Sequence, residues 1–175
     1  MLREMLAAAI RLVRSPVAAY NAILTEKPYP LVRRIVLLGL TPLYALISIS
    51  TGLVTGPYKY VLVALTPFMV LLEWIFRAAF LTAIAHLFGS KAPFRINLLV
   101  YGYAQSPYLL AIPALLLPIK FLSFLILFLN GWSMLFLYIG LALAHGLSRN
   151  RTLLVLLVSQ FLPLLVLAGL ATLGA

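Results

Sequence analysis

The sequence predicts an all-α polytopic membrane protein, a bundle of five transmembrane helices preceded by an N-terminal amphipathic helix at the interface. Three observations carry that expectation. Of the 175 residues, 65% are hydrophobic and 9% charged, and the mean hydropathy is +1.14, whereas soluble domains are roughly half apolar and a quarter charged. The charges divide the chain into long uncharged runs, each exceeding the roughly 20 residues that a helix needs to cross about 30 Å of hydrocarbon. The two-residue alternation of a membrane β-barrel is absent, which leaves helices to satisfy every backbone group in lipid.

Residues 1–30 read as a cytoplasmic or interfacial segment and 31–175 as the bundle, with spans near 33–56, 60–89, 96–118, 121–147 and 152–173. Three of them are free of charge, and the first has only Arg33 and Arg34 at its start. The second carries Glu73 and Arg77 near its middle; it counts as a span because residues four apart share a helical face, where an ion pair offsets part of the cost of burial. Pro42, Pro67, Pro107, Pro113 and Pro163 fall inside spans, and each removes a backbone donor and kinks its helix. Thr41 and Thr66 precede two of them and offer hydroxyls to the freed backbone. Lys120, just after Pro118, is the only charge between the third and fourth spans, so that hairpin must be tight. A broken or re-entrant element over 107–128 is the alternative to two full spans, which the length of the flanking runs favours.

Loop Lys and Arg give the orientation. Lys27, Lys91, Arg95, Arg149 and Arg151 join the N-terminal arginines on one side, against only Lys59 and Lys120 on the other. The N-terminus is therefore expected in the cytoplasm and the C-terminus outside it, in a cell membrane. No cleaved signal peptide is expected, because Arg11 and Arg14 interrupt the only early apolar run.

On a helical projection, Arg3, Glu4, Arg11 and Arg14 fall within one arc, and Leu2, Met5, Leu6, Ala9, Leu12 and Val13 occupy the other. Ser15 and Pro16 read as a cap and the first residue of a second short helix, ended by Pro28 and Pro30. Arginines opposite an apolar face suit an interface where headgroups attract each basic side chain by about 1 kcal/mol; Arg3, Arg11, Arg14, Arg33 and Arg34 are the expected headgroup contacts. Packing of this helix on the bundle is the alternative.

Two stretches carry a family resemblance. Residues 11–28, with Pro16, resemble the segment ahead of the first span in prokaryotic Yip1-domain proteins. The loop around Gly89, followed by Tyr101, Gly102, Tyr103 and Pro107, is similar to that family's glycine-containing loop and its Gly-Tyr-x-x-x-Pro motif. The resemblance implies five spans, a cytoplasmic N-terminus and a membrane adaptor or organiser. Eukaryotic relatives associate with small GTPases and carry an acidic Asp-Leu-Tyr-Gly-Pro motif. This chain has no aspartate, which counts against a GTPase partner.

For chemistry, the Glu73 and Arg77 pair is the most informative feature, because a charge at a helix centre costs about 2.5–3.5 kcal/mol on insertion scales. Either it titrates in a proton or ion path, or it clasps spans together through groups such as Gln105 and Ser106. His86 and His145 fall near the cytoplasmic ends of their spans and could approach one another, but two histidines alone make a poor metal site. Tyr101 and Tyr103 should point to opposite faces, with Gly102 allowing a close helix approach. No cofactor or metal is expected, and the absence of cysteine excludes thiolate chemistry. No protease, hydrolase, phosphate-loop or paired-carboxylate pattern is present. The basic residues sit singly or in pairs between apolar runs, so nucleic-acid binding is not expected. The reading is a non-enzymatic membrane organiser with lipid contacts and a homo-oligomer or other membrane proteins as partners; a small channel or transporter using Glu73 and Arg77 is the alternative.

Overall fold

A computed structural model describes residues 2–50, 58–112 and 119–173, and side chains over 3–45, 60–110, 112, 121 and 124–162. Among the described residues there is no strand. The elements are α1 (Leu2–Arg14), α2 (Pro16–Glu26), α3 (Tyr29–Ser50), α4 (Tyr58–Leu87), α5 (Phe94–Ala104), a 3-10 segment (Ser106–Ala111), α6 (Ile119–His145) and α7 (Arg149–Leu173). Among the described residues, Tyr60–Leu87 and Phe124–His145 are long and apolar enough to cross a membrane. The outer end of the expected first span, 51–56, and the tight turn expected before Lys120 lie outside the described residues.

Local chemistry sets the first breaks. Ser15 caps α2 by its backbone geometry, with no side-chain bond, and Pro16 takes the first helical position. Its fixed φ and missing N–H cost nothing there. Lys27 ends α2 with φ 50 and donates its N–H to Ile23 O at 2.9 Å. Pro30 then sits in the first turn of α3, where a donor is not needed.

Pro42 and Pro67 lie inside continuous helices. The neighbouring threonines do not repair the ladder: Thr66 Oγ1 donates to Leu62 O at 3.0 Å, one residue before the carbonyl that Pro67 frees, and the buried Thr41 Oγ1 has no partner.

Pro107 acts differently. α5 stops at Ala104 and a 3-10 segment follows, because the residue ahead of a proline is pushed out of the α region and the ring removes a donor. Tyr108 N–H turns to Gln105 O at 3.1 Å, which frees Ala104 O. Ser133 Oγ on α6 donates to that carbonyl at 2.8 Å. A break in the backbone thus becomes a tie between α5 and α6. The third expected span is a broken element over its described length, and residues 113–118 lie outside the description.

The core runs through the middle of the bundle, where α4 packs on α3, α5 and α7, and α6 on α5. α1 and α2 close one side of it. Met5, Ala9 and Leu12 are fully buried or nearly so, as are Ala19 and Tyr20, while Arg3, Arg11 and Arg14 stay exposed. Tyr103 O–H donates to Ala8 O at 2.9 Å, and the Tyr20 and Tyr103 rings meet edge to face at 5.5 Å.

Candidate functional site

The charges expected inside a span form an ion pair. Arg77 Nε donates to Glu73 Oε1 at 2.7 Å, one helical turn away on α4. Arg77 Nη1 also donates to Gln160 Oε1 on α7 at 3.2 Å, and Tyr44 on α3 lies beside Glu73 on the same cavity. Three helices therefore meet at two charges. The clasp uses Gln160, with Tyr44 alongside, neither of which sequence spacing could single out; the structure instead leaves Gln105 and Ser106 outside it.

The pair is not sealed in a dry contact. Arg77 and Glu73 side chains remain 42% and 30% exposed, on a cavity of about 190 Å³. Its polar lining comes from Tyr44, Tyr101, Gln105, Tyr108, Asn130 and Gln160. Tyr108 O–H donates to Asn130 Oδ1 across to α6. Gln105 is only 7% exposed and Tyr101 8%, yet neither side chain's polar end has a hydrogen-bond partner among the described residues. Polar side chains that open onto a space without protein partners suit it to polar contents.

A second cavity of about 190 Å³ lies on the other side of the same residues. Phe76, Phe80 and Leu81 of α4 and Ser159 of α7 line it with Glu73, Arg77 and Gln160. The ion pair and Gln160 border both spaces. Depth along α3 is bracketed by Arg33, which shares a crevice with Trp74, and by Tyr44 at Glu73. At 1.5 Å per residue that interval is about 16 Å, so Glu73 lies within it.

The motif positions are packing devices. A Cβ on Gly102 would lie 2.5 Å from Val32 Cγ1 and 2.7 Å from Trp74 Nε1, so α3, α4 and α5 meet at a contact that only glycine permits. Trp74 Nε1 is fixed there by donating to Leu98 O at 2.9 Å. Tyr101 faces the cavity and Tyr103 faces α1. Gly89 turns the chain after α4 with φ +90, and Ser90 N–H returns to Ala85 O at 3.0 Å. Pro16 opens α2. Arg33 and Arg34, like the N-terminal arginines, are exposed.

A second polar cluster was missed from the sequence, where only its histidines stood out. His145 Nε2 lies 2.7 Å from Asn97 Oδ1, and Asn97 Nδ2 donates to Thr82 Oγ1 at 2.8 Å. Thr82 donates on to Ala78 O at 2.7 Å. Because Asn97 spends its amide on Thr82, its carbonyl accepts from Nε2–H; Nδ1 is then the acceptor for the Ser90 hydroxyl. Ser90 Oγ in turn accepts Ala92 N–H at 3.1 Å. His86 Nε2 reaches Ala92 O at 3.0 Å. Both histidines thus secure the α4–α5 loop, and among the described residues no group of three or more His, Cys, Asp and Glu could hold a metal. Asn and Ser at single positions in apolar runs gave no periodic signal from which this chain could be assembled.

Comparison with known proteins gives one finding beyond the geometry. A family model described as Yip1 domain matches residues 10–171. No curated protein matches, and no solved structure does.

Proposed function

We infer, from the fact that this chain belongs to the Yip1 domain family, that it works as a non-enzymatic organiser of the membrane in which it is embedded. As an integral membrane protein with apolar helices, it meets lipid or other membrane proteins along its flanks. The observation that carries the reading is a continuous apolar face left open on α4. Val61, Leu65, Phe68, Leu72 and Phe76 recur at helical spacing and are all exposed, and α6 presents Phe121, Phe124 and Leu127 in the same way. Such faces are made for hydrocarbon or for another helix.

The proposed topology has five crossings: α3, α4, α5 with its 3-10 continuation, α6 and α7, with α1 and α2 on the cytoplasmic side. The lengths of α3, α4, α6 and α7 support it, as does the gathering of loop arginines at one end. Because the sequence has no cysteine, single cysteines can report sidedness cleanly. Labelling by an impermeant maleimide should place Ser15→Cys and Ser148→Cys on one side and Gly174→Cys on the other; both ends on one side would overturn the five-crossing count. For the role itself, crosslinking in native membranes should capture a second copy or another membrane protein on the α4 face. A chain that stays monomeric and partnerless under crosslinking and gentle extraction would remove the organiser reading.

The polar cavity favours one further reading, a small transporter or channel in which Glu73 is the titrating group. It predicts proton- or ion-dependent flux into liposomes that is lost in Glu73→Gln. Equal flux from both forms would eliminate it.

A further inference from the structure

We propose that the cavity beside Glu73 and Arg77 holds the phosphate–ammonium headgroup of an ethanolamine-type phospholipid, admitted from the bilayer between α4 and α7. The argument begins with what the protein leaves undone. Gln105 and Tyr101 are residues more than nine-tenths buried, both line the cavity, and what surface they keep includes polar atoms for which no side-chain hydrogen bond is formed among the described residues. Arg77 commits Nε to Glu73 and Nη1 to Gln160, which leaves its Nη2 donors for something in the cavity.

Charge then selects the occupant. A carboxylate and a guanidinium held in contact largely cancel each other at a distance, so a simple ion of either sign gains little from the pair. A zwitterion of matching polarity gains from both, its anionic group against the guanidinium and its cationic group against the carboxylate. The other lining groups refine the choice. The Gln105 carbonyl and the phenolic oxygens of Tyr44, Tyr101 and Tyr108 are acceptors, and they reward a primary ammonium, which carries N–H donors, over a quaternary one, which has none.

Geometry selects the source. The cavity on the other side of the pair is lined by Phe76, Phe80 and Leu81, and Phe76 is 70% exposed on the outer surface of α4. An acyl chain can lie there while its headgroup passes the Arg77–Gln160 bond into the polar space. Depth is bounded: Glu73 lies within about 16 Å of helix rise from Arg33, so with α3 entering the bilayer at Arg33 and Arg34 the pair lies no deeper than about the midplane of a roughly 30 Å core. The proposal rests on the membrane-embedded reading above and gives its lipid contacts a place.

The test is native mass spectrometry of protein released from nanodiscs containing equal parts of ethanolamine, choline and glycerol phospholipids. The expected result is one retained ethanolamine lipid, about tenfold preferred over the choline lipid, and about tenfold less retention in Glu73→Gln and in Gln105→Leu. Gln105→Leu guards against misfolding: its amide has no protein partner to lose, so the lipid-free variant should unfold at or above the temperature of the parent. Retention unchanged in both variants would overturn the proposal. So would a preference for the glycerol lipid, no retained lipid in the parent, or binding of soluble phosphoethanolamine without any lipid. Crosslinked partners on the α4 face should persist in Gln105→Leu, so failure of the organiser reading and failure of the lipid site give different results.

Discussion

Substituting Gly102 by alanine adds one methyl group at the point where three helices meet. That methyl would stand 2.5 Å from Val32 Cγ1, 2.7 Å from Trp74 Nε1 and 3.0 Å from Trp74 Cε2, closer than nonbonded atoms settle. Neither neighbour yields easily: Val32 is fully buried on α3, and the indole is held by its bond to Leu98 O at 2.9 Å. Overpacking of this kind costs about 1–3 kcal/mol. If the indole moves, its N–H is left without an acceptor for about 1–3 kcal/mol more. Alanine regains about 1 kcal/mol of helix propensity, so the net loss is about 0–2 kcal/mol if the indole stays and about 1–5 kcal/mol if it moves. Gly131 is the control, because it lies on α6 with no atom within 4 Å of an added Cβ. Thermal unfolding in detergent should show Gly131→Ala at or above the parent. Gly102→Ala should fall below it, by about 2–4 °C for each kcal/mol lost. A Gly102→Ala midpoint equal to that of Gly131→Ala would show that the three-helix contact is looser than described.

The remaining expectations concern attachments that can be cut one at a time. In Gly140→Ala the new methyl would lie 2.6 Å from the Tyr20 ring and 2.8 Å from Val100 Cγ1, so α2 must lift; a glutamate-specific protease should cleave after Glu26 several times faster than in the parent, and an unchanged rate would contradict the contact. Tyr103→Phe keeps the ring but removes the bond to Ala8 O, worth about 0.5–1.5 kcal/mol, and hydrogen exchange over α1 should rise without a matching rise in α4. Asn97→Leu strips His145 Nε2 and Thr82 Oγ1 of a fully buried partner. It should cost about 1–3 kcal/mol and raise exchange at the Ser90–Ala92 loop; protection that stays as in the parent would mean that the loop is held by other groups.

Much of the architecture was legible because hydrocarbon imposes few solutions. Uncharged runs of sufficient length read as helices, and α4, α6 and α7 are single helices over the expected stretches. Pro16 marked a helix start because a missing donor costs nothing in a first turn, and Pro28 and Pro30, read as the end of that helix, follow its last residue Glu26, with Pro30 in the first turn of the next. Pro107 was harder, since a proline inside a span is compatible with a kink, as at Pro42 and Pro67, or with a break. The outcome depended on a hydroxyl from another helix, Ser133, reaching the freed Ala104 carbonyl, and spacing along one segment says nothing of that. The same holds for the site. Glu73 and Arg77 were visible as charges out of place, and their four-residue spacing foretold the bond between them. Tyr44, Gln160 and Asn130 were ordinary residues in apolar runs until the bundle brought them around the pair.

Depth was the least legible quantity, for a physical reason. Hydropathy fixes how long a helix is but not how far it slides against its neighbours, because lipid tails reward every register of an apolar rod alike. Register comes from close contacts, and here Gly102 supplies it by admitting Val32 and Trp74 together. That contact sets Trp74 against the first turns of α3, while Glu73 beside it faces Leu40, Leu43 and Tyr44 further along the same helix. The N-terminal helix poses the same ambiguity, since an apolar face opposite arginines satisfies a lipid surface or a protein groove equally well. Met5, Ala9 and Leu12 are buried on the protein while Arg3, Arg11 and Arg14 point away from it. With its apolar face already covered, α1 has mainly charge left with which to meet headgroups. Its attraction to a bilayer should then fall steeply with salt, whereas a helix inserted through its apolar face would hold on. Liposome flotation of an Arg3→Gln, Arg11→Gln, Arg14→Gln peptide cannot decide this, because the isolated helix exposes the covered face. Salt-dependent protection of α1 from exchange in the full chain can, and protection indifferent to salt would show that the arginines contribute nothing to its seating.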